Sequence, residues 1–323
     1  MLSLSALLTA DMPLVGGQAV LEGVMMRNGT AYGLGARLRN EVVGERRLWS
    51  SFLSARIRNM RFVRGFPVLM ETLINGIKTL NRSAELQGQA DDEPMEGWHL
   101  ALTLIVSIVF ALLLSLVLPH ALTWLVTFTG LAGDVSKVSF QIWDGLFKLL
   151  ILVAYILIIG RVPEIRRVFQ YHGAEHKTIH AFETGKPVDV DLAAAQSRLH
   201  PRCGTTFLLF VVCVSVLSHA ILVPLLLHVW TPESTLLKHA GTLVFKLLLI
   251  APIASLSYEI IHAVARMKEG MCCRLLRAPG LLLQKLTTVE PDREHLEVAL
   301  VALKEALGTD SPYVVKTVPY TRL

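Results

Sequence analysis

Charge is scarce in this sequence. Of its 323 residues only 18% are Asp, Glu, Lys or Arg, against 53% hydrophobic. Together with a positive mean hydropathy, that balance points away from an ordinary soluble protein. Cysteine is also scarce. The four, Cys203, Cys213, Cys272 and Cys273, fall in segments read below as cytoplasmic or intramembrane, where disulfides rarely persist, so reduced thiols are expected. The opening MLSLSALLTADMP has no basic n-region and only a short apolar stretch, so no secretory signal is expected. There is no internal repeat and no low-complexity tract. No phosphate loop, dinucleotide turn or serine nucleophile elbow is present to carry those chemistries.

What the chain has instead is long apolar runs. WHLALTLIVSIVFALLLSLVLPHALTWLV carries no formal charge over 99–118, enough to cross a hydrocarbon core of about 30 Å as a helix. IWDGLFKLLILVAYILIIG near 142–160, TFLLFVVCVSVLSHAILVPLLLHVW at 206–230 and GTLVFKLLLIAPIASLSYEIIHAV at 241–264 follow. A helix satisfies every backbone group internally, which is what a spanning segment requires. Lys and Arg then orient the spans, numbering 11 before the first, 1 in the next loop, then 7, 1 and 9. This is the positive-inside alternation, so both termini and the loop 161–205 are expected in the cytoplasm. The net charge of +5 sits in segments facing anionic head groups, so the lipid bilayer is the expected partner and nucleic acid is not required.

The expected fold is therefore mainly α, an integral membrane protein with four transmembrane helices plus cytoplasmic α+β segments. Residues 1–65 form an N-terminal segment whose glycines and apolar alternation predict short strands. Residues 66–97 hold a helix with Val68, Leu69, Leu73, Ile77 and Leu80 on one stripe and Glu71, Asn75 and Lys78 off it, lying on the membrane or the protein, then an acidic linker. Helices 1 and 2 occupy 98–160, a polar loop 161–205, helices 3 and 4 206–264, and a cytoplasmic tail 265–323. The tail carries Leu296, Ala299, Leu300, Leu303 and Leu307 on one helical stripe, which needs a partner surface. The apolar GGQAVLEGVMM is the candidate.

Chemistry concentrates in YHGAEHKTIHAFE, 171–183. At about 3.6 residues per turn His172 and His176 share a face roughly 6 Å apart along the axis, so both rings can converge on one ion. Glu175 completes H-x-x-E-H, in which two imidazoles hold zinc and the carboxylate takes a proton from water. Gly173 weighs against the helix by up to about 1 kcal/mol relative to alanine. Glu183 lies about 16 Å from His172 along a continuous helix, so it cannot share that ion, but with His180 it can form a second polar pair. RLHPRCGTTFLL adds His200 and Cys203, both good zinc ligands. Glu259, three residues before His262, is a further candidate, since a carboxylate in a span is costly unless paired or liganded.

GGQAVLEGVMMR, RGFPVLMETLINGIKTLNRSA, YHGAEHKTIHAFE, HPRCGTTFL, SYE and APGLLLQKLTTVEPDREHLEVALVAL, in this order from about 14 to 307, resemble the bacterial YqhQ family. These are membrane proteins with a domain of unknown function, commonly labelled predicted metal-dependent enzymes. The resemblance implies a four-span bacterial inner-membrane protein with a cytoplasmic polar site, and supplies no substrate. Two functions stay open. In one, a divalent metal, zinc by ligand type, is held by His172 and His176 with Cys203 or His200, and Glu175 acts as base in a hydrolysis. In the other, the same residues order the loop around a structural metal or a polar network, and the protein binds membrane-protein or lipid partners.

Overall fold

The computed structural model describes residues 12–39, 41–90, 97–267 and 270–323. The opening segment 1–11 and most of the acidic linker, 91–96, lie outside the described residues. The chain starts as an antiparallel meander, β1 (Val15–Val20), β2 (Gly23–Asn28), β3 (Ala31–Leu38) and β4 (Glu41–Leu48). Tight reversals at Glu22 and Gly29, both at positive φ, set the registers Val20↔Gly23 and Asn28↔Ala31.

The remainder is mostly helical: α1 (Ala55–Asn59), α2 (Gly65–Ala90), α3 (Gly97–Leu112), a π turn (Leu113–Val117) running into α4 (Leu118–Thr127), α5 (Val138–Ile159), α6 (Pro163–Glu183), α7 (Val190–Ala194), α8 (Gly204–Val229), α9 (Thr235–Leu248), α10 (Ile250–Ala265), α11 (Met271–Thr287) and α12 (Arg293–Leu307). β5 (Thr321–Arg322) returns to pair parallel with β4.

Three of the apolar runs each make a helix long and apolar enough to cross a membrane: Leu102–Thr127, Val138–Ile159 and Gly204–Val229. The fourth is not one straight helix. It is α9 followed by α10, bent by 42°, because Pro252 brings no N–H and its ring excludes the carbonyl of residue 248 from a continuous helix.

The sheet is covered on both faces, to which successive side chains point in turn. Val24 and Met26 point into a cluster with Leu296, Ala299, Leu300 and Leu303 of α12, while Val20, Leu34, Ala36 and Val43 meet Leu86 of α2 on the other face. Gly33 and Gly35 let α12 lie directly on β3, since a Cβ at either would collide with the helix backbone. The tail stripe thus packs on the N-terminal strands, and Val298 to Leu303 are fully buried.

On α2 the apolar stripe is partly covered, with Val68, Leu69 and Ile77 half-buried and Leu73 and Leu80 exposed. Glu71, Asn75, Thr79 and Ser83 are buried while Leu73, Ile74 and Leu80 are exposed. The polar side goes inward because each group finds a partner there. Glu71 Oε1 accepts from Trp49 Nε1 at 2.9 Å and Oε2 from Ser51 Oγ at 3.0 Å. Asn75 bonds both the N–H and the carbonyl of Ser50, and Ser83 Oγ donates to the Leu21 carbonyl. Satisfied buried polar groups cost little, whereas the same groups unpaired would cost about 1–3 kcal/mol each.

Candidate metal centre

Helix α6 is unbroken through Gly173, and the glycine has a reason to be there. A Cβ would collide with the Val289 carbonyl oxygen, because the segment after α11 crosses the helix at this point, with Val289 N–H donating to Phe169 O at 2.9 Å. The crossing brings Thr287 O to 2.8 Å from His172 Nδ1. One turn on, His176 Nδ1 lies 2.6 Å from Arg198 O. Both Nδ1 atoms must donate to these carbonyls, so both Nε2 atoms are left as acceptors, the tautomer a metal ligand needs.

The Nε2 of His172 faces a sulfur. His172 Nε2 is 3.2 Å from Cys203 Sγ, and the ligand atoms of His172, His176 and Cys203 all lie within 4.8 Å of one another. Cys203 caps the start of α8, where its sulfur accepts from Thr205 N at 3.4 Å and lies 3.2 Å from Thr205 Oγ1. His176 Nε2 is buried and has no hydrogen-bond partner among the described residues. A buried polar atom left unsatisfied is costly and calls for a missing partner. Two imidazoles and a thiol converging with an orphaned nitrogen fit a transition-metal ion.

Glu175 sits beside this group and is not one of its donors. It packs on β1, where a Cβ at Gly17 would come within 2.9 Å of its Cδ. Burial pushes its carboxyl up to about 7, against the opposing pull of His172 and Gly17. Glu175, both histidines and Cys203 line a cleft of about 870 Å³ that also includes Gly17, Gln18 and Trp49.

His200 is placed elsewhere. With His180 and Glu183 it forms a second triad, its Nε2 3.4 Å from Glu183 Oε1, and Arg202 pairs with the same carboxylate. Partial burial pushes the Glu183 carboxyl up, but His200, Arg202 and His180 prevail and hold it below its ordinary value. Burial lowers His200. The ring of His200 is 5.8 Å from that of His176, so the two triads adjoin along α6. Glu259 belongs to neither. Both of its oxygens are engaged by Arg64 at 2.7 and 2.9 Å, an ion pair that docks the start of α2 on α10.

The description "Protein of unknown function (DUF1385)" belongs to the family model that matches residues 60–309. The chain belongs to the DUF1385 family. It is 33% identical over 314 residues to "Uncharacterized protein YqhQ" of Bacillus subtilis (strain 168), covering 93% of this chain and 94% of the relative. No solved structure matches it.

The DUF1385 stretch contains all six residues of the two triads, whereas Gly17, on which Glu175 packs, precedes it. Several supporting residues of this DUF1385 chain carry no signal of their own in the sequence. Gln284 is one: buried on α11, it accepts from His200 N and donates to His200 O, both at 2.8 Å, and bonds Thr206, which pins the turn between the triads. Lys177 is another, reaching Ala194 O at 2.9 Å and Glu290 at 2.5 Å and so tying α6 to α7 and to the crossing segment.

Proposed function

We propose that this protein is an integral membrane protein of the bacterial inner membrane, with both termini and residues 161–205 on the cytoplasmic side, and that it is a zinc-dependent hydrolase acting at that face. Membrane insertion is supported by the apolar helices, whose outer surfaces leave Ile105, Ile142, Ile158, Leu217 and Ile221 largely exposed, more apolar surface than a water-soluble monomer carries. The exposed Leu73 and Leu80 of α2 and the exposed Met271, Leu275 and Leu282 of α11 suit helices lying in the interface.

The observation that carries the catalytic reading is the number of donors. Among the described residues three side chains converge, with each imidazole oriented by a backbone carbonyl and His176 Nε2 otherwise unpartnered. Three protein ligands are the pattern of a zinc centre that keeps a position for water, while a structural centre closes with four. A bound divalent ion supplies Lewis acidity and makes water a nucleophile near neutral pH. Glu175, buried and poised near neutrality, accepts the proton from the attacking water. The cleft beside it has the size of a small-molecule site.

Elemental analysis of the detergent-purified full chain tests this. The wild type is expected to hold about one equivalent of zinc and His172→Ala almost none. Less than about a tenth of an equivalent of any transition metal in wild-type protein purified without chelator would leave only a polar network that orders the loop.

A further inference from the structure

A second built site lies among the apolar helices, away from the two triads. Asp144 and Lys148 of α5 and Lys246 of α9 are all buried. Asp144 Oδ2 stands 3.0 Å from Lys246 Nζ and 3.6 Å from Lys148 Nζ. Asp144 is the one ion-pair partner of either lysine among the described residues, so two cations share one anion. The histidines nearby do not correct the balance. His120 Nδ1 is 4.0 Å from Asp144 and its Nε2 bonds His239 at 2.8 Å, while His219 has neither ring nitrogen bonded among the described residues and is 2% exposed.

Lys148, Lys246 and His219 line the same cavity, about 470 Å³, whose other walls are mostly apolar. Gly145 permits this convergence, because a Cβ there would come within 2.5 Å of Val216 and push α8 away. Phe110, half exposed, stands at the outer wall. The π turn Leu113–Val117 contributes Leu114 and Ser115, and such turns recur at functional sites. A surplus buried cation in a low-dielectric setting is costly unless an anion joins it.

The geometry points to a binding site for a monoanionic amphiphile, its carboxylate or phosphodiester head held by Lys148, Lys246 and His219 and its alkyl chain filling the apolar cavity. The head supplies the missing negative charge, the unbonded His219 supplies a donor, and the tail replaces apolar surface that would otherwise be empty. This site stands independently of the metal centre.

The test uses the full chain in detergent micelles with diazirine-bearing palmitate as probe, then unlabelled palmitate, phosphatidylglycerol and methyl palmitate as competitors. Saturable labelling of peptides from 107–116 and 148–155 is expected, with competition by palmitate or phosphatidylglycerol, whichever is the better distinguishing carboxylate from phosphodiester. Methyl palmitate, with the same chain and no charge, should compete at least about tenfold less well, as expected for loss of a buried charge contact. Lys148→Gln and His219→Phe should each weaken labelling while Lys148→Arg retains most of it, size-exclusion profile and melting temperature showing that each variant is folded. Equal competition by methyl palmitate overturns the proposal, and so does undiminished labelling of folded Lys148→Gln and His219→Phe. Should Lys148→Gln not fold, the competition series on the wild-type chain decides alone.

Discussion

The carbonyl of Val289 lies directly against the Cα of Gly173, where a Cβ on any other residue would collide with its oxygen. This contact holds the end of α11 against α6, and the same crossing presents Thr287 O to His172. Gly173→Ala improves helix propensity by up to about 1 kcal/mol, but it must displace backbone, an overpacking cost of about 1–3 kcal/mol. A lower melting temperature and reduced metal content are expected together. A more stable variant with full metal would show that the crossing does not position His172.

Glu175→Gln separates base from ligand. Metal content should stay near wild type, because Glu175 is not among the converging donors, whereas His176→Ala should lose metal and Cys203→Ser should weaken binding. Any hydrolysis at the cytoplasmic face should fall by at least about 100-fold in Glu175→Gln. Metal loss in Glu175→Gln equal to that in His176→Ala would make the carboxylate a ligand.

Glu71 gives a pH signature outside the apolar helices. Burial pushes its carboxyl up, but hydrogen bonds from Trp49 and Ser51 and the charge of Arg58 prevail and hold it below its ordinary value. A carboxyl depressed in the folded state contributes stability that is present above the unfolded value of about 4.5 and is lost as pH falls through the folded value. Glu71→Gln should therefore destabilise by about 1–3 kcal/mol at pH 7, with the difference from wild type shrinking below about pH 4.5. Trp49 fluorescence reports the transition. A difference that is unchanged at low pH would mean that packing, not charge, sets the cost.

The alternation of basic residues predicts topology. Reporter tags at residues 185 and 320 should read cytoplasm and tags at 133 and 234 the opposite side. A tag at 185 reporting the periplasm would reverse the orientation and put the metal centre outside.

The sequence by itself determined the local elements, because periodicity and length are properties of neighbouring residues. Apolar runs became helices, the alternation around GGQAVLEGVMM became strands, the spacing of His172 and His176 put both on one turn of α6, and the stripe from Leu296 to Leu307 required a cover and found the sheet. Which distant groups meet was decided only by the tertiary structure. Cys203, 31 residues from His172, completed the first triad, while His200, three residues nearer in the chain, joined Glu183. Glu259 met Arg64 from 195 residues away. Pro252 bent the last apolar run, and α2 turned its polar side inward because Trp49, Ser50 and Ser51 were waiting with matching donors. A hydrogen bond or ion pair depends on position to within a fraction of an ångström, which the packing of distant segments sets, so residue type and spacing named the candidates and the fold chose among them.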